Sequence, residues 1–523
     1  MTKRTIAVIL LIVGIMCGVA LAEEFDPATD GWYFSNWTEV SPNCVGSCDF
    51  TWDLYRQTYL GINPTHNCVE APLDCAYYEI FKNCAEGGNC GGISLLALAL
   101  FKYGGYMGFC SPANFYTGTV SPDRDDLHQT INILQARQFS AAGIENFLDL
   151  VGAGDLNNAE RAFKEVKECL AKGDYPVLSI ANSFSGADAH TVIPYRIEEN
   201  PSGYPPGTKI MYIWDSNHPY DDDPDHYADW NPANRLVISG MYTWTYTSGS
   251  TAYSGSGWDA AWCFCIPMSK VLHKSRQPMA LDLVFDALLT VFISGPSGTA
   301  IAQIEDDKGH RLFKPTNGQV PSEIEWETDE GVRLQGAFRW PWVRNTAPDS
   351  PELFFIHQPD SGEESGISFT IDGASYRLLL LSEGNLFELA GTSAGPARDV
   401  IRLFGTDSSP YLEITTSSAQ RTLTLRQLQI NRGSATWRGF LLSELVIRAD
   451  TTVTIATVGD LVALDITSSD TELVLDVSVE SKSEDGFLRR EFGELTAPYG
   501  RRLQVSPSDW GRLDVATLER VIH

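Results

Sequence analysis

Beyond residue 22, every cysteine of this chain lies between Cys44 and Cys265, and residues 266–523 hold none. One half of the chain can therefore use sulfur for cross-links or chemistry, while the other must fold on packing alone. The texture of the sequence changes at the same place. Before residue 270, helix-like and strand-like runs are mixed. Ser94 to Phe101 is apolar on every side, the pattern of a helix sunk in a core. Asn158 to Lys172 is amphipathic, with Ala162, Phe163, Val166 and Leu170 on one face and Gly173 as its stop. Short β-like runs follow at Tyr175–Ile180, His190–Ile197 and Lys209–Trp214. After residue 270 the pattern is almost wholly β, with runs at Leu283–Phe285, Glu323–Trp326, Ser368–Ile371, Arg377–Leu381, Leu412–Thr415 and Leu473–Val479. Turn residues between them predict all-β, β-sandwich-like modules. The loop Asn345–Pro351 suggests a boundary, giving one module over 273–352 and a second over 353–523.

Charge and the first residues bound the setting. Acidic side chains number 67 against 38 basic ones, a formal charge of −29. Such a surface repels phosphate backbones and excludes nucleic-acid binding as the main role. Residues 1–22 carry Lys3 and Arg4, an apolar stretch from Ile6 to Val19, and Ala20-Leu21-Ala22, the pattern of a cleaved signal peptide. The expected product is secreted or extracytoplasmic, in a place where disulfides persist, with no stable membrane span after the leader is removed. Cys44 with Cys48, and Cys68 with Cys75, have spacings that close small loops. A zinc site on these four is disfavoured in an oxidising compartment, so no metal is expected there. Cys263 and Cys265 share one side of a strand, too constrained to bond each other, and Cys169 is the first candidate for an unpaired buried thiol.

Chemistry concentrates at Cys90. Gly87-Gly88-Asn89-Cys90-Gly91-Gly92 leads straight into the apolar helix. A helix N-terminus carries partial positive charge and unsatisfied N–H groups, which favour thiolate over thiol. Glycines on both sides let a substrate backbone approach and leave backbone N–H groups available to an oxyanion. A nucleophilic thiol needs a base, and His190 opens a β run after a polar loop. The next run ends in Trp214-Asp215-Ser216-Asn217, offering Asp215 or Asn217 to orient the imidazole. If the two runs are adjacent antiparallel strands, the end of one lies beside the start of the other.

In this order the residues resemble papain-like cysteine peptidases, and more narrowly the bacteriocin-processing-peptidase-like branch found in exported microbial proteins. The matching segments are Asn89–Ser94 (NCGGIS) opening a buried helix, Gly173–Ile180 (GDYPVLSI) after a second helix, Ala189–Tyr195 (AHTVIPY) and Tyr212–Pro219 (YIWDSNHP). Asp30–Trp37 (DGWYFSNW) also resembles a segment that precedes the cysteine in such proteins. The resemblance covers about residues 25–270 and implies an α+β papain-like N-terminal domain over 23–272. It implies Cys90 as nucleophile, His190 as general base and Asp215 as orienter, with Asn217 the alternative by papain's own pattern. The glutamine that usually precedes the nucleophile as an oxyanion donor is missing; Cys84 stands where it is sought, and Asn83 and Asn89 are the nearest amides.

The expected function is that of an exported thiol hydrolase, a cysteine peptidase cleaving peptide or protein substrates through an acyl-enzyme on Cys90. The alternative is a catalytically weak or inactive papain-like surface protein that binds a cell-surface partner through its β modules. No cofactor is expected. Asp221, Asp222, Asp223 and Asp225, with Asp229, gather oxygen ligands suited to calcium, but their spacing fits no standard calcium loop. Trp340, Trp342 and Trp437 are candidates for an aromatic binding surface, with core packing the commoner use of such residues.

Overall fold

The structure is a computed structural model. It describes residues 24–36, 50–85, 88–110, 113, 125–182, 189–218, 234–248, 251–257, 261–277, 288–296 and 299–313. Beyond these it describes 325–327, 333–335, 337–339, 352–357, 366–382, 384–405, 410–417, 420–431, 436–459, 461, 463–469, 472–483 and 486–523. The expected leader, Cys44, Cys48, the aspartates at 221–229, Trp340 and Trp342 lie outside these residues.

The described helices are α1 (Pro27–Asp30), α2 (Trp52–Thr58), α3 (Pro72–Ala85), α4 (Cys90–Tyr103), α5 (Asp125–Arg137), α6 (Ala141–Gly152), α7 (Ala159–Lys172) and α8 (Met268–Val271). Helix α4 is the buried apolar helix: Leu95, Leu96, Leu98 and Leu100 are all fully enclosed. Burial of each such side chain contributes about 1.5–3 kcal/mol, enough to fix the helix and the thiol at its start. Helix α7 starts where the Asn158 side chain accepts the Arg161 N–H, and it stops at Gly173, whose φ of +66° suits glycine.

Seven strands form the sheet of the cysteine-bearing half: β1 (Pro176–Ala181), β2 (His190–Glu199), β3 (Lys209–Trp214), β4 (Arg235–Gly240), β5 (Thr243–Ser248), β6 (Thr251–Ser256) and β7 (Trp262–Pro267). Their order is β7-β1-β2-β3-β4-β5-β6, and each neighbouring pair is antiparallel. Helix α7 packs on one face, burying Phe163, Val166 and Cys169 against Leu178, Val192 and Cys265. The Cys169 and Cys265 thiols sit side by side in this cluster. Cys68 and Cys75 are joined as a disulfide.

Among the described residues from Leu288 onward, sixteen strands form one sheet. Its main members are β8 (Leu288–Ser294), β9 (Gly366–Ser382), β10 (Asn385–Phe404), β11 (Tyr411–Thr416), β12 (Arg421–Asn431), β13 (Thr436–Ile447) and β14 (Leu473–Ser483). Strand β10 serves two partners in turn: residues 385–392 pair with β12, and residues 399–404 pair with β11. Between these halves the β9–β10 pairing slips at Gly373–Ser375, where Gly373 takes φ +151°. Carbonyls freed at the slip are collected by the buried Arg421, which donates to the backbone oxygens of Gly373, Ala374 and Ala397. Its Nε lies 2.9 Å from Asp399 Oδ2, which also accepts the Tyr376 hydroxyl at 2.8 Å.

The expected fold class, an α+β papain-like domain followed by separate β-sandwich modules, needs correction. Among the described residues the structure is mostly β, 52% strand against 21% helix, and no α+β papain-like N-terminal domain is evident. Two physical reasons account for the difference. Strands after residue 288 reach 17 and 20 residues, far longer than the short runs their sequence suggests. Residues 345–351 of the expected loop lie outside the described ones; just after them, Glu352–His357 pairs with β8, and β8 pairs with β9, in one sheet.

The two halves share a core. Phe292, Leu379, Leu381, Leu386, Leu428 and Trp437 belong to the buried cluster that also holds the α4 leucines, Tyr59 and Tyr77. Polar contacts reinforce the seam. Arg426 donates to the carbonyls of Cys68 and Val69, and Lys482 Nζ to that of Glu70 at 3.3 Å. Trp437 is thus a buried residue, with the Arg426 guanidinium 4.9 Å from its ring centroid. Among the described residues, no helix is long and apolar enough to cross a membrane.

Candidate functional site

Cys90 is the first residue of α4 and is 9% exposed. Its position is set by close packing that only glycine permits. A Cβ on Gly92 would lie 2.2 Å from the Ile131 carbonyl oxygen of α5, and one on Gly91 would lie 1.9 Å from Gln138 Nε2. The Gly92 N–H, one of the amides a helix start leaves without an intrahelical partner, donates to Gln135 Oε1 at 2.8 Å.

Strands β2 and β3 place the second and third residues. They pair antiparallel with Ile193 opposite Trp214, so His190 at the start of β2 meets Asp215 just past the end of β3. His190 Nε2 lies 2.6 Å from Asp215 Oδ1. The other ring nitrogen is left for the thiol, and the Cys90 and His190 side chains lie close enough for each to favour the charged form of the other. The backbone N–H of Thr191 also donates to Cys90 Sγ, at 3.4 Å. All three side chains are buried, with His190 3% and Asp215 0% exposed.

Electrostatics follow from this enclosure. Burial opposes charge on both Cys90 and His190. For Cys90, the hydrogen bond and charge of His190, together with Thr191, outweigh burial and hold the thiol below its ordinary value of 9.0. For His190, Asp215 and Cys90 outweigh it and push the ring up to about 10. Both shifts favour a thiolate–imidazolium pair.

The other expected residues fall in different places. Asn217 does not orient the ring: its backbone N–H donates to Asp215 Oδ1 at 2.8 Å, and its side-chain oxygen accepts from Asn36 Nδ2 at 3.2 Å. Asn89 stands at the N-cap position of α4 as a fully buried residue without a side-chain capping bond, its backbone N–H donating to Asn36 Oδ1 at 2.9 Å. Asn83 lies on α3, and its side chain, like that of Cys84, is outside the described residues. The aspartates considered for calcium are outside them as well. His66, Cys68 and Cys75 lie close together, but the disulfide occupies both sulfurs and removes them as metal ligands.

Several neighbours escaped the reading of the sequence. Tyr246 donates its hydroxyl to Asp215 Oδ2 at 2.7 Å. Its strand, Thr243–Ser248, alternates threonine with Trp244 and Tyr246, which marks both aromatics as inward-facing. A buried tyrosine hydroxyl needs an acceptor, but sequence does not say which one. Gln138 sits between Gly91 and Thr191, 3.5 Å from the Thr191 hydroxyl. Residues 31–36 brace the site from outside: Trp32 Nε1 donates to the Ile93 carbonyl at 3.0 Å, Gly31 presses on Trp214, and the Asn36 N–H donates to the Ser216 carbonyl.

No protein-family model, curated protein or solved structure matches the chain.

Proposed function

We propose that this protein is a thiol hydrolase, a cysteine peptidase that cleaves amide bonds through an acyl-enzyme on Cys90. The observation that carries the reading is the buried chain of contacts from Cys90 to His190 to Asp215, with His190 Nε2 2.6 Å from the carboxylate. The Cys90 thiolate attacks the carbonyl carbon, and backbone N–H groups of the first turn of α4 stabilise the oxyanion. His190 passes its proton to the leaving amine and then takes one from the water that hydrolyses the thioester. Asp215 keeps the ring oriented and its positive charge favourable. The order Cys, His, Asp along the chain, as in the bacteriocin-processing peptidases the sequence resembles, supports the same reading. An inactive partner-binding protein has no need of a thiol held beside its base, and the Cys90–His190 contact weighs against it.

A thiol-directed epoxide tests the proposal. Under reducing conditions at neutral pH it should modify Cys90 ahead of the buried thiols Cys169, Cys263 and Cys265, as read by peptide mass mapping. A Cys90 left unmodified while the fold is intact overturns it.

A further inference from the structure

Asp215 is gripped at both of its oxygens. Oδ1 meets His190 Nε2 at 2.6 Å and the Asn217 N–H at 2.8 Å, and Oδ2 accepts the Tyr246 hydroxyl at 2.7 Å. Tyr246 is 1% exposed, so neither end of this bond is diluted by solvent. Among the described residues, the groups facing the pair include Cys90 from α4, Asn217 beyond β3, Tyr246 from β5 and Tyr253 from β6. The Tyr253 ring lies 6.2 Å from the His190 ring at an interplanar angle of 21°. A donor on a carboxylate stabilises its anion and makes it less basic. A less basic Asp215 draws less strongly on the imidazolium proton. That matters for a residue that must both hold a proton beside a thiolate and release it to a leaving amine. With Asn217 and His190 keeping Oδ1 in place, loss of the Tyr246 bond changes the basicity of the carboxylate more than its orientation.

Resting on the thiol reading above, we infer that Tyr246 is a positioning residue that acts through Asp215, sharing its charge and so setting how tightly His190 holds its proton. Nothing in the resemblance to papain-like peptidases assigns a residue to this task.

The test is the pH profile of Cys90 alkylation by iodoacetamide on the full chain, followed on the Cys90 peptide by mass spectrometry. The profile has a step at the pH where His190 loses its proton and the thiolate is freed. In Tyr246→Phe the step should move to higher pH by half a unit or more. In an Asp215→Asn background the same change should move it by less than 0.2 of a unit. A 3-fluorotyrosine at position 246 keeps the shape of the side chain, and its more acidic hydroxyl should move the step down, which keeps the test open if Tyr246→Phe does not fold. A step that stays in place, or that moves in the same direction in both variants, overturns the inference. A wild-type Cys90 no more reactive than an ordinary thiol overturns the thiol reading instead, so the two failures are distinct.

Discussion

The backbone N–H of Thr191 donates to Cys90 Sγ across 3.4 Å, so the residue that follows the base binds the nucleophile itself. Strand β2 therefore supplies both partners of the thiol, with the imidazole on one residue and an amide for the sulfur on the next. A thiolate receiving that amide is favoured over a thiol, and the donor cannot move without moving His190.

The first prediction concerns charge. The Cys90 pKa is lowered and that of His190 is raised to about 10, so the ion pair forms below the ordinary thiol range and persists until the ring loses its proton. Alkylation of Cys90 should already be fast at pH 6–8, where an ordinary thiol is mostly protonated. Asp215→Asn removes the negative charge that supports the imidazolium. It should lower the alkylation rate at pH 7 by about tenfold or more, each factor of ten corresponding to about 1.4 kcal/mol.

The second concerns the glycines after the thiol. In Gly92→Ala the new methyl meets a backbone carbonyl of α5 that cannot move aside, so α4 must shift relative to α5. Overpacking of this kind costs about 1–3 kcal/mol, and thiol reactivity should fall with it. In Gly91→Ala the obstacle is the end of the Gln138 side chain, which can rotate away. Thermal midpoints should rank wild type, then Gly91→Ala, then Gly92→Ala, with Cys90 alkylation rates in the same order.

Asp74 gives a pH dependence of stability. Burial raises its pKa from 3.8 to about 6, against the Asn63 N–H and the charge of Lys482. A raised carboxyl binds its proton more tightly in the folded chain than in the unfolded one. Its favourable contribution is therefore complete below about pH 4 and is lost as pH rises to about 6. Asp74→Asn should remove that slope and raise stability at pH 7 by about 1–3 kcal/mol, with no gain at pH 4. Denaturation at the two pH values checks both halves of this claim.

Arg421 tests the architecture of the second half. Replacing it with methionine leaves Asp399 buried with its charge uncompensated, and strips the Gly373, Ala374 and Ala397 carbonyls of their donor. Breaking a buried pair from one side costs about 3–5 kcal/mol. The double variant Arg421→Met with Asp399→Leu should recover part of that loss, as read by denaturant midpoints.

How far the sequence was legible depends on the range over which each feature is decided. The meeting of His190 with Asp215 follows from two β runs joined by one connection, and local pattern suffices to pair them. Tyr246 reaches the same carboxylate from two strands further across the sheet, after the register choices of β4 and β5, and its alternation with Trp244 marks only which way it faces. Asp372-Gly373-Ala374-Ser375 is a turn-like string in the sequence and separates the β runs Ser368–Ile371 and Arg377–Leu381. In the fold that string is a slip in pairing within one continuous strand, stabilised by an arginine almost fifty residues later. The fold class failed for the same kind of reason: the helix signals are local and strong, whereas the extent of a sheet is set by partners far along the chain.

The carbonyls of Cys68, Val69 and Glu70 are held by Arg426 and Lys482, and aromatic and aliphatic side chains from both halves share one core. The thiol-bearing half is therefore an incomplete body on its own. A single cleavage within residues 278–287 would leave two fragments that remain a non-covalent complex, and the first of them, once isolated, would present the apolar surface left by Phe292, Leu428 and Trp437 to water.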